Sequence, residues 1–337
     1  MESPVRVVQY GLGPIGQATA GAVLDRAKTG QMELVGAVDV DPQMVGRDVA
    51  TLLDDDRAET GVVVTDRPAA VLHEQRPDVV LHTTTSALPV VDEQLRTCVA
   101  AGAHVVSSTE ELAYPYDRHP ERAKALDRRA RAAGVVVVGT GVNPGYAMDT
   151  LPLTATGVCT SIDAVRVARV VDAGERRGSL QTKIGVGCAP AEFEAKTKDD
   201  ALGHVGLQES LRMVARGLGW TLADVRETIA PVRADRAVET PHCSVEEGGI
   251  AGLHQTAVGV VGGRERLSLD LQMYLGAEES YDAVQVEGTP PIDLRVDGGI
   301  FGDTATVGIL VNTASLLDTV PSGLKTMLDL PVPRANL

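Results

Sequence analysis

Val5-Arg6-Val7-Val8-Gln9-Tyr10 runs into Gly11-Leu12-Gly13-Pro14-Ile15-Gly16, and an alanine-rich stretch with helical spacing follows. The order reads as a strand, a glycine turn and a helix. Gly11 suits the tight turn, Gly13 lets the backbone approach a pyrophosphate, and Gly16 lets the helix pack against the strand. The phosphates would then face the helix N-terminus and its N–H groups. The implied ligand is a dinucleotide held by Gly11, Gly13, Pro14, Ile15 and Gly16. Such a glycine pattern is weak alone, but a second strand pattern, residues 33–38, ends here at Asp39. That is about the offset at which a carboxylate meets the ribose hydroxyls.

Outward from this unit, strand-like and helix-like segments keep alternating. Residues 61–64 and 78–85 read as strands, with a helix between them that ends near Gln75. Residues 89–101 read as a helix stopped by Gly102, 104–108 as a fifth strand, 121–133 as an arginine-rich exposed helix and 135–139 as a sixth strand. Near-continuous apolar strands belong to a parallel sheet covered on both faces. The expected fold class is therefore α/β, with a doubly wound Rossmann domain over residues 1–148 that binds the dinucleotide.

Beyond residue 148 the strands lengthen, as in 164–171 and 267–275, and glycine pairs at 262–263 and 298–299 mark turns. A second α+β domain over residues 149–303, built on a mixed or antiparallel sheet, is the expectation for substrate binding and dimerisation. One helix is clear in it: Leu202, Val205, Leu211, Val214, Ala215 and Leu218 share a face, and Gly219 stops it. A last apolar helix spans about 304–320 and an extended strap 329–334. Residues 304–337 are expected to pack back on the first domain.

The composition narrows the partners. A chain of 337 residues, 44% hydrophobic and 23% charged, is long enough for two cores. Its formal charge of −15 opposes binding to nucleic acid or to an anionic membrane surface, and favours a small neutral or cationic substrate. Cys98, Cys159, Cys188 and Cys243 have no metal-like spacing, so no metal site is expected. No charged-then-apolar leader opens the sequence and no apolar run approaches ~20 residues, so the expected location is the cytoplasm.

In an open parallel sheet, ligands bind beyond the carboxyl ends of the strands. After the fourth strand come Thr83, Thr84 and Thr85, whose hydroxyls and N–H groups suit the ribose and nicotinamide side of the cofactor; a polar helix cap is an equally good account of them. After the fifth come Glu110 and Glu111 with Tyr114 and Tyr116, a concentration of rings in a chain holding six Tyr, two Phe and one Trp. Glutamates in a first helical turn are also favoured by the helix dipole, but Pro115 cuts such a helix short. After the sixth strand, Asn143 and Tyr146 sit in a turn-rich segment where the nicotinamide would lie.

Residues 8–16, 108–115, 139–145, 203–207, 252–255, 302–306 and 324–331 together resemble the 2,4-diaminopentanoate dehydrogenase and native amine dehydrogenase family, related in fold to dihydrodipicolinate reductase. The resemblance implies reversible conversion of a primary amine, or diamino acid, into a ketone or aldehyde plus ammonia with an NAD(P) cofactor. It also implies a catalytic glutamate in the segment 109–112, with Glu110 favoured over Glu111. The His-His-x-x-Lys and Ser-Gly-Thr-Ala segments of the reductases are absent, which argues against diaminopimelate chemistry.

Tyr114, Tyr116 and Tyr146 could wall a small, mostly apolar substrate pocket, and a carboxylate at its mouth suits ammonium and iminium. Neither a Tyr-x-x-x-Lys pair nor a zinc site stands in the sequence for alcohol chemistry. Two other classes stay open at this point, a homoserine- or semialdehyde-type oxidoreductase and a non-catalytic NAD(P)-sensing regulator. Asp39, followed by Asp41, favours NAD(H) over NADP(H), with Arg47 as the residue that could hold a 2′-phosphate instead. The broad second sheet, together with the family fold, points to a homodimer.

Overall fold

The computed structural model describes residues 3–53, 57–174, 176–199 and 202–335. Val5–Tyr10 (β1), Pro14–Ala27 (α1) and Met32–Val38 (β2) form the opening unit. Val64–Thr65 (β3), Pro68–Gln75 (α2), Val79–His82 (β4), Leu88–Ala100 (α3), His104–Ser107 (β5), Pro120–Ala133 (α4) and Val136–Gly139 (β6) follow. Each of these four helices carries a proline in its first turn, where the missing N–H costs nothing and the fixed φ already suits a helix. β4 and β6 are buried along their whole length, as strands covered on both faces must be.

The second stretch comprises Thr150–Thr156 (α5), Ser161–Asp172 (β7), Gly178–Lys183 (α6), Pro190–Lys198 (α7) and Leu207–Gly217 (α8). Asp224–Arg233 (β8), Val238–Glu239 (β9), Ser244–Val245 (β10), Ile250–Val261 (β11), Arg264–Tyr274 (β12), Tyr281–Thr289 (β13) and Ile292–Asp297 (β14) complete it. The chain ends through Gly302–Ala314 (α9) and Gly323–Lys325 (β15). Two compact units result, residues 1–146 with 301–337, and residues 147–300.

The first unit is a seven-stranded sheet in the order β15-β6-β5-β4-β1-β2-β3, in which each adjacent pair of strands runs parallel. Its central crossover, from β3 back past β1 to β4, creates the switch point at which an open sheet binds ligands. Val8, Val80, Leu88, Leu95, Leu112, Leu126 and Val137 belong to the core that α3 and α4 cover. α9 packs against α1, and β15 adds to the β6 edge.

The second unit is a mixed six-stranded sheet, β14-β13-β7-β12-β11-β8, in which β7 and β12 run parallel and the other pairs antiparallel. α8 packs on β11 and β12, α5 on β7 and β13, and the two helices touch each other. Along β11 and β12 buried and half-exposed residues alternate, so a single face carries the core.

Several sequence expectations need correction. The parallel sheet has seven strands rather than six, because β15 arrives from far along the chain; three residues are too few to carry a period. The third strand is Val64–Thr65 rather than 61–64, and the fourth ends at His82, which leaves Thr83 to Thr85 in the loop beyond it. The last helix stops at Ala314, and Leu317–Thr319 is a separate 3-10 turn whose Leu317 is buried, so apolar composition ran on past the helix. The clear helix of the second unit starts at Leu207, since Gly203 and Gly206 take left-handed φ values of 120° and 105°. α5, α6 and α7, six to nine residues each, escaped notice through shortness. Among the described residues, no helix is long and apolar enough to cross a membrane.

Candidate active site

The loop after β1 is shaped by two glycines that touch. A Cβ on Gly16 would stand 1.9 Å from the Gly11 carbonyl oxygen, and one on Gly11, at φ 91°, would stand 2.5 Å from the Thr83 carbonyl oxygen. Gly11 therefore serves close approach to the β4 end as much as the turn itself. Gly13 differs: a Cβ there would meet nothing within 4 Å, so open space remains where α1 begins. Pro14 and Ile15 start that helix with no side-chain cap on its first N–H groups. A pyrophosphate fits this chemistry, because those donors need an acceptor and the space before them is clear.

Asp39 lies at the end of β2. One of its carboxylate oxygens accepts the Leu12 N–H at 2.5 Å and the other the Asp41 N–H at 2.9 Å, which pins the glycine loop to β2. Arg47 donates to the Thr51 carbonyl at 2.7 Å. Beneath the loop, the buried Gln9 amide donates to the Gly11 carbonyl and to Thr83 Oγ1, both at 2.8 Å. Gln9 was missed as a site residue, though a glutamine inside an apolar strand, two positions before the glycine turn, is a visible signal.

The ends of β4 and β5 are stitched together by polar side chains. His82 is fully buried, with Nδ1 at 2.9 Å from Ser107 Oγ and Nε2 at 2.8 Å from Gln94 Oε1. Its burial holds the imidazole pKa down at about 4, against a smaller upward pull from Gln94. Ser107 Oγ reaches Thr109 Oγ1 at 3.0 Å, and Thr109 donates to the Thr85 carbonyl at 2.8 Å. Thr83 is buried against the glycine loop, whereas Thr84 and Thr85 are exposed. Neither His82 nor Ser107 was singled out from the sequence.

Glu110 and Glu111 open the 3-10 turn Glu110–Leu112 directly after β5. They are placed differently. Glu111 is buried, with its carboxylate on the Leu88 N–H and on His119, while Glu110 is half-buried. The turn packs tightly on β6, since a Cβ on Gly139 would stand 2.4 Å from the Leu112 carbonyl carbon.

After β6, the Thr140 N–H donates to the Ser107 carbonyl, and the Val142 N–H to Thr306 Oγ1 on α9, at 2.8 and 3.3 Å. Segment 302–306 thus braces the loop that carries buried Asn143 and half-buried Tyr146. Tyr114 and Tyr116 meet edge to face, with ring centroids 5.2 Å apart. Tyr116 donates at 3.4 Å to the Leu324 carbonyl on the edge strand β15, so its hydroxyl covers the sheet edge. Burial, with the charges of Asp329 and Asp127, pushes that hydroxyl up to about 12.

A groove of about 1160 Å³, lined by His73, Arg76, Asp78, Arg96, His104 and Asp318 among others, lies at the other end of this sheet, where β4 and β5 begin. Sheets of this type do not place their chemistry there. Among the described residues, no group of three or more His, Cys, Asp or Glu is arranged to hold a metal ion.

The comparisons with known proteins agree with this architecture. The model of the 2,4-diaminopentanoate dehydrogenase C-terminal domain matches residues 146–337. A 2,4-diaminopentanoate dehydrogenase of Acetoanaerobium sticklandii is 32% identical over 337 residues, covering 98% of this chain and 94% of the relative. An amine dehydrogenase of Streptomyces virginiae is 27% identical over 357 residues, covering 97% of this chain and 96% of the relative. The solved structure of amine dehydrogenase from Mycobacterium smegmatis, 26% identical, superposes with a TM-score of 0.87 over 99% of this chain and 98% of that one. On a family model matching more than half of its length and a relative aligned along almost all of it, the chain belongs to the 2,4-diaminopentanoate dehydrogenase family.

Proposed function

We propose that this protein is a nicotinamide-dependent amine dehydrogenase, interconverting a primary amine or diamino acid with a ketone or aldehyde and ammonia. One observation carries the reading. A glycine loop with open space for a pyrophosphate and a turn bearing two glutamates stand at the same end of one parallel sheet, joined through Thr83 and Thr85. The names of the family's relatives supply the amine.

In this reading the bound nicotinamide supplies the hydride acceptor or donor, and the chain supplies everything else. Gly11, Gly13, Pro14, Ile15 and Gly16 hold the pyrophosphate, Asp39 the adenosine ribose, and Thr83 to Thr85 with Asn143 the nicotinamide side. The Glu110 carboxylate balances ammonium and iminium charge and exchanges protons as ammonia adds and water leaves. An iminium already carries its positive charge, so no strong acid is needed. Tyr114 and Tyr146 wall the substrate space; Tyr116, tied to β15, serves the outer wall.

Amine-dependent reduction of the cofactor, and its oxidation by a ketone at high ammonia, test the assignment. Turnover on alcohols without any response to ammonia would favour the semialdehyde-type alternative and overturn it. The same assay decides the cofactor. The Asp39 carboxylate at the β2 end accepts hydroxyls and repels a 2′-phosphate, and Arg47 is engaged with the Thr51 carbonyl. The expected result is a kcat/KM for NAD(H) at least tenfold above that for NADP(H), about 1.4 kcal/mol. Equal efficiency with both would refute the preference.

The assembly proposed is a homodimer through the second sheet. Its core face is covered by α5 and α8, while the opposite face presents half-exposed His254, Thr256, Val258, Ser268, Asp270 and Gln272 along two long strands. A six-stranded face can pair with its own copy about a two-fold axis, the commonest symmetry of soluble oligomers. Light scattering at micromolar concentration should give about twice the 35.3 kDa chain mass. A monomer there would refute it.

A further inference from the structure

We infer that Glu111 is a positioning residue that fixes the Glu110 turn to the loop between β4 and α3; the inference rests on the role proposed for Glu110. Two adjacent glutamates in the same turn would ordinarily be interchangeable candidates for one chemical task. Their surroundings separate them. Glu111 is 8% exposed, and its Oε2 lies 2.8 Å from the Leu88 N–H and 2.8 Å from His119 Nε2. Its Oε1 lies 3.6 Å from an Arg118 Nη1. The Glu111 backbone N–H donates to the Ser86 carbonyl at 3.2 Å.

Residues 86 and 88 flank the start of α3, just beyond Thr83 to Thr85. Glu111 therefore holds that loop twice, by side chain and by backbone, while Thr109 holds Thr85 from the other end of the turn. A helix N-terminus accepts a carboxylate readily, and here the carboxylate comes from the next strand's loop rather than from the helix itself. The consequence is a rigid link between the cofactor-side hydroxyls and the turn carrying Glu110. A carboxylate already holding a helix N–H and a histidine, inside the fold, is poorly placed to exchange protons with a substrate.

This assignment separates the effects of two substitutions at one position. In Glu111→Gln, an amide oxygen at the Oε2 position still accepts the Leu88 N–H and a His119 Nε2–H, while the amide N–H₂ takes the Oε1 position and gives up only the longer contact to Arg118. Turnover should stay within about threefold of the parent. In Glu111→Ala the link is cut and the Glu110 turn shifts; misplacement of a reacting group by ~1 Å costs on the order of 10²-fold. kcat should therefore fall by on the order of 10²-fold, with the NADH dissociation constant within about twofold of the parent because the glycine loop is untouched.

The experiment is steady-state reductive amination by both variants and by Glu110→Gln, with NADH titration by fluorescence and a melting curve for each. Equal, severe loss in Glu111→Gln and Glu111→Ala would overturn the inference, since the charge itself would then be needed. Parental kcat in Glu111→Ala with only a lowered melting temperature would also overturn it, reducing Glu111 to a packing residue. If Glu111→Ala fails to accumulate as folded protein, Glu111→Gln decides alone: near-parental turnover supports positioning and a 10²-fold loss refutes it. Parental activity in Glu110→Gln would instead remove the reading on which the inference stands, and is told apart by that variant.

Discussion

Glu110→Gln is expected to lower the turnover of reductive amination by on the order of 10²-fold or more while leaving NADH affinity within about twofold. The substitution keeps size and much of the hydrogen bonding and removes the charge. In the proposed mechanism a developing iminium then has no anionic partner, and loss of one such electrostatic contribution typically costs about 3 kcal/mol of barrier. Position supports the choice. Glu110 opens the turn directly beyond β5, next to the switch point between β1 and β4, where a nicotinamide ring meets its substrate in sheets of this order. In the proposed binding mode the cofactor is held by the β1 loop, Asp39, Thr83 to Thr85 and Asn143, none of which the substitution replaces. The comparison to make is kcat at saturating ammonia for Glu110→Gln against the parent, with fluorescence titration of NADH on both. Near-parental turnover would defeat the carboxylate mechanism for this protein.

The parts of this arrangement that could be read in the sequence are those written in local pattern. The glycine loop, Asp39 and the apolar strands β1, β2, β4, β5 and β6 announce themselves through residues that are neighbours in the chain. What escaped depends on partners far away in sequence. β15 becomes a strand because the β6 edge is there to pair with Gly323–Lys325, after a whole second unit has intervened. The difference between Glu110 and Glu111 is equally invisible locally, since two identical side chains in one turn are told apart by Leu88 and His119. The hydrogen bond from the Tyr116 hydroxyl to the Leu324 carbonyl is likewise one that no spacing rule reveals. His82 was legible as a residue, a histidine closing an apolar strand, but its task required knowing that Ser107 ends the adjacent strand in register with it.

That histidine sets a second large effect, on stability rather than rate. His82 has both ring nitrogens engaged inside the fold, and burial lowers its pKa to about 4, from about 6.5 in an unfolded chain. Below pH 6.5 the unfolded chain therefore takes up a proton at this site that the native state refuses. Stability contributed by the neutral ring is complete above about pH 6.5 and is lost as the pH falls toward 4, to a total of about 3 kcal/mol. His104 acts in the same direction. Burial lowers its pKa, although Asp318 and Asp78 pull upward, and its Nδ1 accepts the Val136 N–H, a bond that a proton on Nδ1 would break. The carboxylates enter later. Burial pushes Asp48 upward, but the N–H groups of Thr60, Ala50 and Gly61 together with the Thr60 hydroxyl outweigh it and hold the carboxyl below its ordinary value. Its contribution is present above the ordinary carboxylate range and is lost only as the pH falls through that lowered pKa. Urea unfolding at half-unit steps from pH 7.5 to 4.5 should thus show a plateau above about 6.5 and a decline below it, approaching 1.4 kcal/mol per pH unit for each histidine refused its proton. In His82→Gln, where nothing at that site titrates, the decline should be shallower by that one-proton slope. An unchanged stability between pH 6.5 and 5 in the parent, or the same slope in parent and variant, would show that His82 is not the buried neutral ring described.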